Sequence, residues 1–515
     1  MPARLKSQWT LLRQALAYQK PRCVPRSYGG SRCYGAYTWL TKSPENLGVD
    51  DFFASFPTEP FERASSLTSV PLLLVTPGLA HYLDPQFPFL DLFVNKLYTL
   101  NSQQRDGIYT VVAVVDKIPN FARKLATTSP SVSENGEYEG LSVLLVEEAD
   151  LQWKAAPPRR IGNPSGEEPS LAVAVKCSPT DQNSQGAAHE VGLRLANTVF
   201  INGKERTLTG MFWAATQGEQ GARYTLQKTA DLTSCCVSTN GIDIASKLTL
   251  PLYPVGERRT VIAGMGNILR QLSKSTDSTS MVPMPASTEL EKELPRYIEE
   301  HNIADRRVSV WALVEKPHAE PVQEASTSDR LSHALRQGGK LHRVMSGGGG
   351  WGKKQGLLSL DPEIAFPKTA WNKGSNLLVD AFNAPTDGGD MEMPPMFLEN
   401  GLIGEDLSHL SQVANPGDSI QFFVAVEPKA IREQETASES GSNISYTFGV
   451  VSDAEDMNIQ AGHGSQGSVI SVPNSFGALS EKAITYSQPV PQAGMVVESS
   501  TKLDIPGCRV TLQPR

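Results

Sequence analysis

The stretch SVPLLLVTPG, residues 69–78, is the strongest indication of the fold in this chain of 515 residues. Its apolar run is bounded by proline and glycine and is far shorter than the roughly 18 residues that span a bilayer, so it predicts a buried strand. Residues 84–101 have helical composition, and residues 107–116, GIYTVVAVVD, predict a second strand. This series predicts a parallel βαβ unit, to which residues 140–148, GLSVLLVEE, add a third strand.

The middle of the chain has a strand-like pattern. Short alternating or apolar runs predict strands at residues 170–177, 190–200 and 206–216. The dipeptide Asn202-Gly203 lies between the last two runs and predicts a hairpin.

Two later segments predict helical structure. Residues 260–272, TVIAGMGNILRQL, place two glycines after a strand, as in a dinucleotide-binding turn. Leu269 stands where a third small residue belongs, so a tight strand–helix turn is the better interpretation. Residues 287–303 have helical composition and a capping box, although Pro295 is expected to break or restart the helix.

These patterns predict an α+β or mixed α/β fold, rich in strands, in which an N-terminal βαβ-like unit precedes many short strands in two lobes. The predicted organisation is a presequence at residues 1–34, an extended N-terminal arm at 35–66, an N-terminal lobe at 67–316, a linker at 317–329 and a C-terminal lobe at 330–515. The second half of the N-terminal lobe is expected to be the more strand-rich part.

Composition excludes some classes of protein. With 39% hydrophobic and 20% charged residues the chain is typical of globular proteins, and no apolar run has transmembrane length, so we expect a soluble protein. Residues 1–34 contain seven basic and no acidic residues, and their removal would move the net charge from -8 to -15. A surface that is basic overall and binds nucleic acid everywhere is therefore not predicted.

The N-terminus has the pattern of a mitochondrial transit peptide. Leu5, Trp9, Leu12 and Leu16 fall on one helical face of an arginine-rich segment without acidic residues. Motifs resembling matrix-protease sites place the cleavage after Tyr28 or after Tyr34. We therefore predict a protein of the mitochondrial matrix; the alternative is a basic surface helix followed by a loop.

No catalytic or metal-binding pattern is present in the sequence. The cysteines outside the presequence are Cys177, Cys235, Cys236 and Cys508, and they form no C-x-x-C pair and no Cys/His cluster with zinc spacing. The adjacent pair is expected to be two buried or half-buried thiols. No catalytic residue, metal site or cofactor is predicted.

The glycine-rich stretch VMSGGGGWGKKQGLL, residues 344–358, raises the question of a phosphate-binding P-loop. Gly347, Gly352 and Lys353 fit the pattern G-x-x-x-x-G-K-[ST], but Lys354 stands where Ser or Thr should bind Mg²⁺. A P-loop also leads directly into a helix, whereas the glycine and proline that follow leave little room for one and LLSLD favours a strand. A nucleoside triphosphatase site is therefore not the favoured interpretation.

The surroundings of this stretch are basic. Residues 330–360 contain six Lys or Arg residues and no Asp or Glu, and His333 and His342 add partial charge. Glycine N–H groups can point at one anion, basic side chains supply charge, and a tryptophan can stack on a base. The predicted polyanion-binding residues are Arg343, Gly347, Gly348, Gly349, Gly350, Trp351, Gly352, Lys353 and Lys354. The alternative is a glycine turn that serves conformation alone, with Trp351 in the core.

These features together predict a soluble mitochondrial matrix factor that acts by binding, and that associates with mitochondrial RNA or the mitochondrial ribosome through the basic loop. We expect binding rather than catalysis, and protein partners fit the same features. One alternative is an enzyme that binds a nucleotide or a phosphorylated metabolite with a divergent phosphate loop. Another is a mitochondrial assembly or scaffold protein in which the loop is a hinge.

Overall fold

The computed structural model divides the chain into two compact units, Met1–Cys33 and Tyr34–Arg515, and all residues described below lie in the second. The structure describes residues 35–56, 69–84, 87–99, 106–121, 137–156, 169–177, 188–196, 207–218, 221–241, 244–275, 282–303, 308–317, 327–347, 356–365, 412–425, 444–452, 469–492 and 495–514. The predicted presequence, most of the predicted linker and residues 348–354 of the predicted site lie outside these ranges.

Strands dominate the described residues. In chain order they are β1 (Gly35–Thr41), β2 (Ser69–Val75), β3 (Gly107–Val114), β4 (Glu139–Glu147), β5 (Leu151–Ala155), β6 (Ser170–Cys177), β7 (Ala188–Arg194), β8 (Leu208–Gly218), β9 (Gly221–Gly241), β10 (Ile244–Thr249), β11 (Tyr253–Met265), β12 (Ile268–Ser273), β13 (Pro283–Pro285), β14 (Val310–Glu315), β15 (Lys340–Gly347), β16 (Leu358–Leu360), β17 (Ser419–Val424), β18 (Ser445–Val450), β19 (Ile470–Pro473), β20 (Ser475–Ser480), β21 (Ile484–Gln492), β22 (Met495–Leu503) and β23 (Arg509–Pro514).

Helices are few in the same part of the chain. The α-helices are α1 (Val49–Ala54), α2 (Phe89–Thr99), α3 (Ser287–Glu300) and α4 (Thr327–Arg336), and 3-10 helices cover Pro44–Asn46, Pro77–Leu83 and Glu148–Asp150. None of the helices that the structure describes combines the length and the apolar character needed to cross a membrane.

This strand content shows that the predicted α+β or mixed α/β fold was wrong. The strands form a twelve-stranded, a four-stranded and a seven-stranded sheet, and six strands of the last close into a barrel. Closure requires β11 to pair with β17, which lies far away in the chain. Short-range periodicity reports which segments are strands but carries no information about such distant pairings, so the prediction missed the barrel.

The βαβ unit around residues 69–78 is confirmed. β2 and β3 pair in parallel with Leu72 opposite Val111, and α2 lies in the connection between them. β4 pairs antiparallel with β2, which confirms the third strand. Across the large sheet the order is β19-β1-β4-β2-β3-β8-β9-β6-β7-β21-β22, with β5 paired to β9.

β2 is buried throughout because both faces of the large sheet are covered at this position. Leu72 and Leu74 pack in one core with residues of the four-stranded sheet β10-β23-β18-β20, among them Phe448. Leu73 and Val75 pack in a second core with residues of α1 and α2. A strand that is buried on both faces lacks polar alternation, which explains the continuous apolar run.

Residues 35–41, within the segment that we interpreted as an extended arm, form β1. This strand is buried along its length and lies between β19 and β4 in the large sheet. Ala36 faces the first core and Trp39 faces the second. Burial on both faces again removes the alternation that would have identified a strand in the sequence.

The barrel has the strand order β11-β17-β14-β15-β16-β12 and closes where β12 pairs with β11. Val310, Ala312 and Val314 of β14 face its interior. Trp311 and Leu313, on the opposite face of β14, pack in the first core of the large sheet. The barrel takes strands from both sides of the predicted linker, and the outer face of β14 packs against the large sheet.

The described parts of the strands on either side of Asn202-Gly203 do not pair with each other as the predicted hairpin requires. β7 pairs with β6 and β21, whereas β8 pairs with β3 and forms its hairpin with β9. The dipeptide itself lies outside the described residues. Its turn propensity is a local property, while the strands on either side have other partners in the sheet.

Two helix predictions also need correction. α3 continues through Pro295, which costs one hydrogen bond but leaves Leu290 and Tyr297 packed in the barrel core. Residues 260–272 form the end of β11, a turn and β12, rather than a strand–helix turn. Gly266 makes this turn with a φ of 58°.

Replacing Gly477 with alanine is expected to lower the free energy of unfolding by about 3 kcal/mol. A Cβ at this position in β20 would lie 1.8 Å from the carbonyl oxygen of Thr447 on the parallel neighbour β18. Gly266→Asn is the control, because space around that Cβ position is open and asparagine tolerates positive φ. Urea denaturation measures the free energy of unfolding of both variants. Equal losses of this free energy would contradict the packing of β18 against β20.

Candidate functional site

The glycine-rich stretch connects two neighbouring strands of the barrel. β15 ends at Gly347, β16 begins at Leu358, and the two strands pair antiparallel. The strand predicted from LLSLD is thus confirmed, and the stretch lies between two strands rather than between a strand and a helix. Gly348, Gly349, Gly350, Trp351, Gly352, Lys353 and Lys354 lie outside the described residues.

Gly347 is required by the close approach of the two strands. A Cβ at this position would lie 2.1 Å from Cδ2 of Leu358 and 3.0 Å from the carbonyl oxygen of Leu357. At the other end of the connection, the N–H of Ser287 donates to the carbonyl oxygen of Gly356 at 3.2 Å. The connection between β15 and β16 therefore ends against the first residue of α3.

Arg343 is the described cation of the predicted site. Its guanidinium lies over the ring of Trp311, 5.8 Å from the ring centroid, and its Nη2 donates to Oγ of Ser309 at 3.0 Å. Its Nη1 is 3.8 Å from Oδ2 of Asp504, and 44% of the side chain is exposed. The orientation of the guanidinium is thus fixed, and its charge is partly compensated by an acid from a distant segment.

Asp504 also fixes the ring beneath this arginine. The Nε1–H of Trp311 donates to Oδ1 of Asp504 at 2.7 Å. An acceptor with full negative charge makes this a charge-assisted hydrogen bond, which is stronger than a neutral one. Asp504 could not be identified from the sequence, because the residue lies outside the basic window and no short motif connects the two.

The rest of the basic window does not join Arg343. Lys340 stands at the opposite end of β15, seven residues or about 23 Å of strand away from Gly347. Arg336, on α4, donates from Nη2 to the carbonyl oxygen of Ser246 at 2.8 Å. The window that is continuous in sequence is therefore divided among the two ends of β15 and the four-stranded sheet.

His342 does not add positive charge to the site near neutral pH. It lies opposite Ala312 on the interior face of the barrel and is only 2% exposed. Its Nδ1–H donates to the carbonyl oxygen of Asp361 at 2.8 Å, and its buried Nε2 has no hydrogen-bond partner among the described residues. Burial lowers the pKa of His342 to about 4. The prediction that this histidine contributes partial charge was wrong, because the strand directs it inward.

A set of ion pairs fixes the segment after β16 to the large sheet. Nζ of Lys502 lies 2.8 Å from Oδ2 of Asp361 and 2.6 Å from Oε2 of Glu363. Arg194, at the end of β7, pairs with the same glutamate at 2.6 Å. These partners are far apart in the chain, so no spacing in the sequence could have revealed them.

The adjacent Cys235 and Cys236 are buried thiols rather than an exposed redox pair. Cys235, Cys236 and Cys508 are buried and free, and burial raises the pKa of the Cys235 and Cys508 thiols to about 12. The prediction of two buried thiols at the adjacent pair is confirmed. In the ranges that the structure describes, no group of three His, Cys, Asp or Glu side chains is arranged to hold a metal ion.

Comparison with known proteins gives no relative: no family model, curated protein or solved structure matches the chain.

The free energy of unfolding is expected to fall on acidification between pH 6.5 and about 4, in part because of His342. In this range the unfolded chain protonates the histidine and the folded protein does not, so the folded state loses stability by up to about 1.4 kcal/mol per pH unit. His342→Gln keeps a donor for the Asp361 carbonyl and should flatten this pH dependence. Urea denaturation at pH 6.5, 5.5 and 4.5 measures the slope.

Asp116→Asn is a control with the opposite sign. Burial raises the pKa of Asp116 to about 6, so near pH 5 the folded protein holds a proton that the unfolded chain has lost. Removing this group should make the loss of stability on acidification steeper. If neither substitution changes the slope of the free energy of unfolding against pH, the described burial of the two side chains is contradicted.

Proposed function

We propose that the chain is a binding factor of the mitochondrial matrix whose β15–β16 hairpin contacts a polyanion, with mitochondrial RNA, free or in the ribosome, as its partner. The observation that carries the proposal is the position of Arg343. Arg343 lies on β15, the strand that leads into the glycine-rich connection. Its exposed guanidinium donates to Ser309 and lies over the ring of Trp311. By sequence, that connection supplies Lys353 and Lys354 as further cations.

The charge of the chain supports a local contact. After removal of the presequence the net charge would be -15, which repels a polyanion at long range. At physiological ionic strength this repulsion is screened beyond about 8 Å, whereas direct contacts between cations and phosphates are not. Binding is therefore expected to depend on a few residues of the hairpin.

RNA fits the chemistry of these residues. Lysine and arginine neutralise phosphates, and an arginine that is already stacked on a ring presents its donors in a fixed direction. Trp351 of the connection supplies an aromatic face on which a base can stack. The predicted compartment contains RNA and ribosomes in quantity, which makes them the first partners to test.

The proposed address agrees with the position of β1. This buried strand begins at Gly35, directly after the second predicted cleavage site. Cleavage after Tyr28 or after Tyr34 would therefore leave the strand complete.

One observation favours the enzyme with a divergent phosphate loop as a second candidate. The hydrogen bond from Ser287 to Gly356 brings the end of the glycine-rich hairpin to the N-terminus of α3, where a helix dipole favours phosphate. A point against this candidate is that Glu289, in the first turn of that helix, already supplies negative charge there. Thermal shift with nucleotides and phosphorylated metabolites tests this candidate, and stabilisation by one of them would favour it over RNA binding.

The double substitution Lys353→Gln/Lys354→Gln is expected to weaken binding to single-stranded RNA and to reduce its dependence on salt. The slope of log K against log [salt] is negative, and each lost phosphate contact should reduce its magnitude by about 0.7. Loss of both contacts should therefore reduce it by about 1.4. Fluorescence anisotropy with a labelled RNA at several salt concentrations measures both quantities.

The matched control is Lys228→Gln/Lys247→Gln, which removes the same charge from exposed positions on β9 and β10. This variant should bind like the unchanged protein. If both double variants lose affinity equally, only net charge matters and the hairpin is not the contact.

Removal of residues 1–34 is expected to abolish import into isolated mitochondria while leaving the fold intact. Removal of residues 1–41 should in addition unfold the protein, because it deletes β1 from between β19 and β4. Import assays and thermal denaturation measure the two effects. Continued import of the shorter truncation would refute the proposed presequence.

A further inference from the structure

The hydroxyl of Ser309 stands in direct contact with the described cation of the candidate site. Nη2 of Arg343 donates to Oγ of Ser309 at 3.0 Å, so the hydroxyl oxygen is the acceptor in this bond. No group among the described residues accepts the hydroxyl hydrogen in return. A serine hydroxyl is a nucleophile once a base removes its proton, so the contact combines a nucleophile with a cation that favours anions.

The residues before Ser309 form a pattern that serine kinases recognise. Residues 306–310 read RRVSV, which places arginines three and two positions before the serine and an apolar residue directly after it. Kinases select substrates partly by such charge patterns, because carboxylates of the kinase groove pair with the arginines. The other Arg-Arg pairs, at 159–160 and 258–259, have no Ser or Thr at this spacing, so R-R-x-[ST] occurs once in the chain.

The position of Ser309 suits access by an enzyme. The residue is half-buried and lies directly before β14, outside the strand. The next residue, Val310, pairs with Val424 at the end of the β14–β17 ladder, so only this last pair has to open for an extended segment to enter a kinase groove. The nearby surface of β15 faces solvent, since the side chain of Arg343 is 44% exposed and Met345 is 62% exposed.

We propose that Ser309 is a phosphorylation site for a basophilic serine kinase, and that its phosphate binds Arg343 and withdraws this cation from the polyanion contact. The regulatory consequence rests on the proposed function, whereas the modification itself does not. Oγ of Ser309 attacks the γ-phosphorus of Mg²⁺-bound ATP, and the bond from that phosphorus to the β,γ-bridging oxygen breaks. ADP keeps the electron pair, and the hydroxyl proton passes to the catalytic aspartate of the kinase.

The charge at this point of the barrel would reverse its effect on RNA. Arg343 and Asp504, whose Nη1 and Oδ2 atoms are 3.8 Å apart, together carry no net charge. A phosphoserine adds a charge of about -1.5 to -2 near pH 7 and three acceptor oxygens. These oxygens replace the neutral hydroxyl as acceptors for Nη2, in a charge-assisted hydrogen bond. An RNA phosphate would then meet a site with net negative charge, which repels it.

The first test is phosphorylation of the full chain by the catalytic subunit of cyclic-AMP-dependent protein kinase with Mg²⁺ and ATP. A peptide of residues 304–312 is the reference substrate. Mass spectrometry should find one phosphate per chain, on Ser309, and none on the Ser309→Ala variant. Arg306→Gln/Arg307→Gln should lower the rate of incorporation about tenfold or more, because each arginine loses a charge-assisted contact with the kinase.

The matched control for this test is Ser346→Ala. Ser346 is exposed and has Arg343 three positions before it, but it lacks the second arginine. This variant should incorporate phosphate like the unchanged chain. Phosphorylation of the peptide but not of the full chain, or of other serines only, would overturn the assignment of the site.

The contact between the phosphate and Arg343 has a readout that does not involve RNA. The second pKa of a free phosphoserine is about 6, and a neighbouring guanidinium lowers it by favouring the dianion. Titration followed by ³¹P NMR should therefore give a higher pKa in the phosphorylated Arg343→Gln variant than in the phosphorylated unchanged chain. Arg336→Gln is the control, since that arginine is bound to the carbonyl of Ser246; it should leave the pKa unchanged. Equal values in all three proteins would overturn the contact.

The regulatory effect is measured by fluorescence anisotropy with a labelled single-stranded RNA. The phosphorylated chain should bind about tenfold more weakly than the mock-treated chain, because one charge-assisted contact is lost. Kinase treatment of Ser309→Ala should change nothing. Unchanged affinity after complete phosphorylation would overturn the regulatory role. Failure of the mock-treated chain to bind RNA would instead reject the proposed function, and the phosphate count and the ³¹P titration would still decide the modification.

Discussion

β14 is buried on both faces, and this burial joins the barrel to the core of the large sheet. Ala312 and its neighbours at alternate positions fill the barrel, while Trp311 and Leu313 fill the core of the large sheet. The hydrogen bond from Trp311 to Asp504 connects β14 to the segment that follows β22. Because Arg343 stacks on the same ring, the exposed cation of the candidate site takes its orientation from the junction between barrel and sheet.

The glycine-rich hairpin is anchored on both sides. On β15 the anchor is Arg343, which Ser309, Trp311 and Asp504 hold in place. After β16 it is the ion pairs of Asp361 and Glu363 with Lys502. Charged groups from distant segments thus fix the two strands, and they also neutralise part of the basic window. What remains available for a polyanion is smaller than the sequence alone indicates.

Local sequence was sufficient for some elements and not for others, for a physical reason. β2 and β3 were predicted because burial on both faces leaves a continuous apolar run. The barrel was not predicted because it closes through the pairing of β11 with β17, which are far apart in the sequence. At the candidate site, composition identified the basic window, but its division could not be predicted without the partners of each strand. The inward direction of His342 could have been found from strand alternation, since Arg343 on the opposite face cannot point the same way.

RNA binding by the hairpin is tested by ultraviolet crosslinking of the protein to RNA in isolated mitochondria, followed by mass spectrometry of the crosslinked peptides. If the hairpin is the polyanion contact, the crosslinks should fall in residues 343–354, and ribonuclease treatment before irradiation should remove them. Crosslinks confined to other segments, or none above those of a matrix protein that does not bind RNA, would contradict RNA binding by the hairpin.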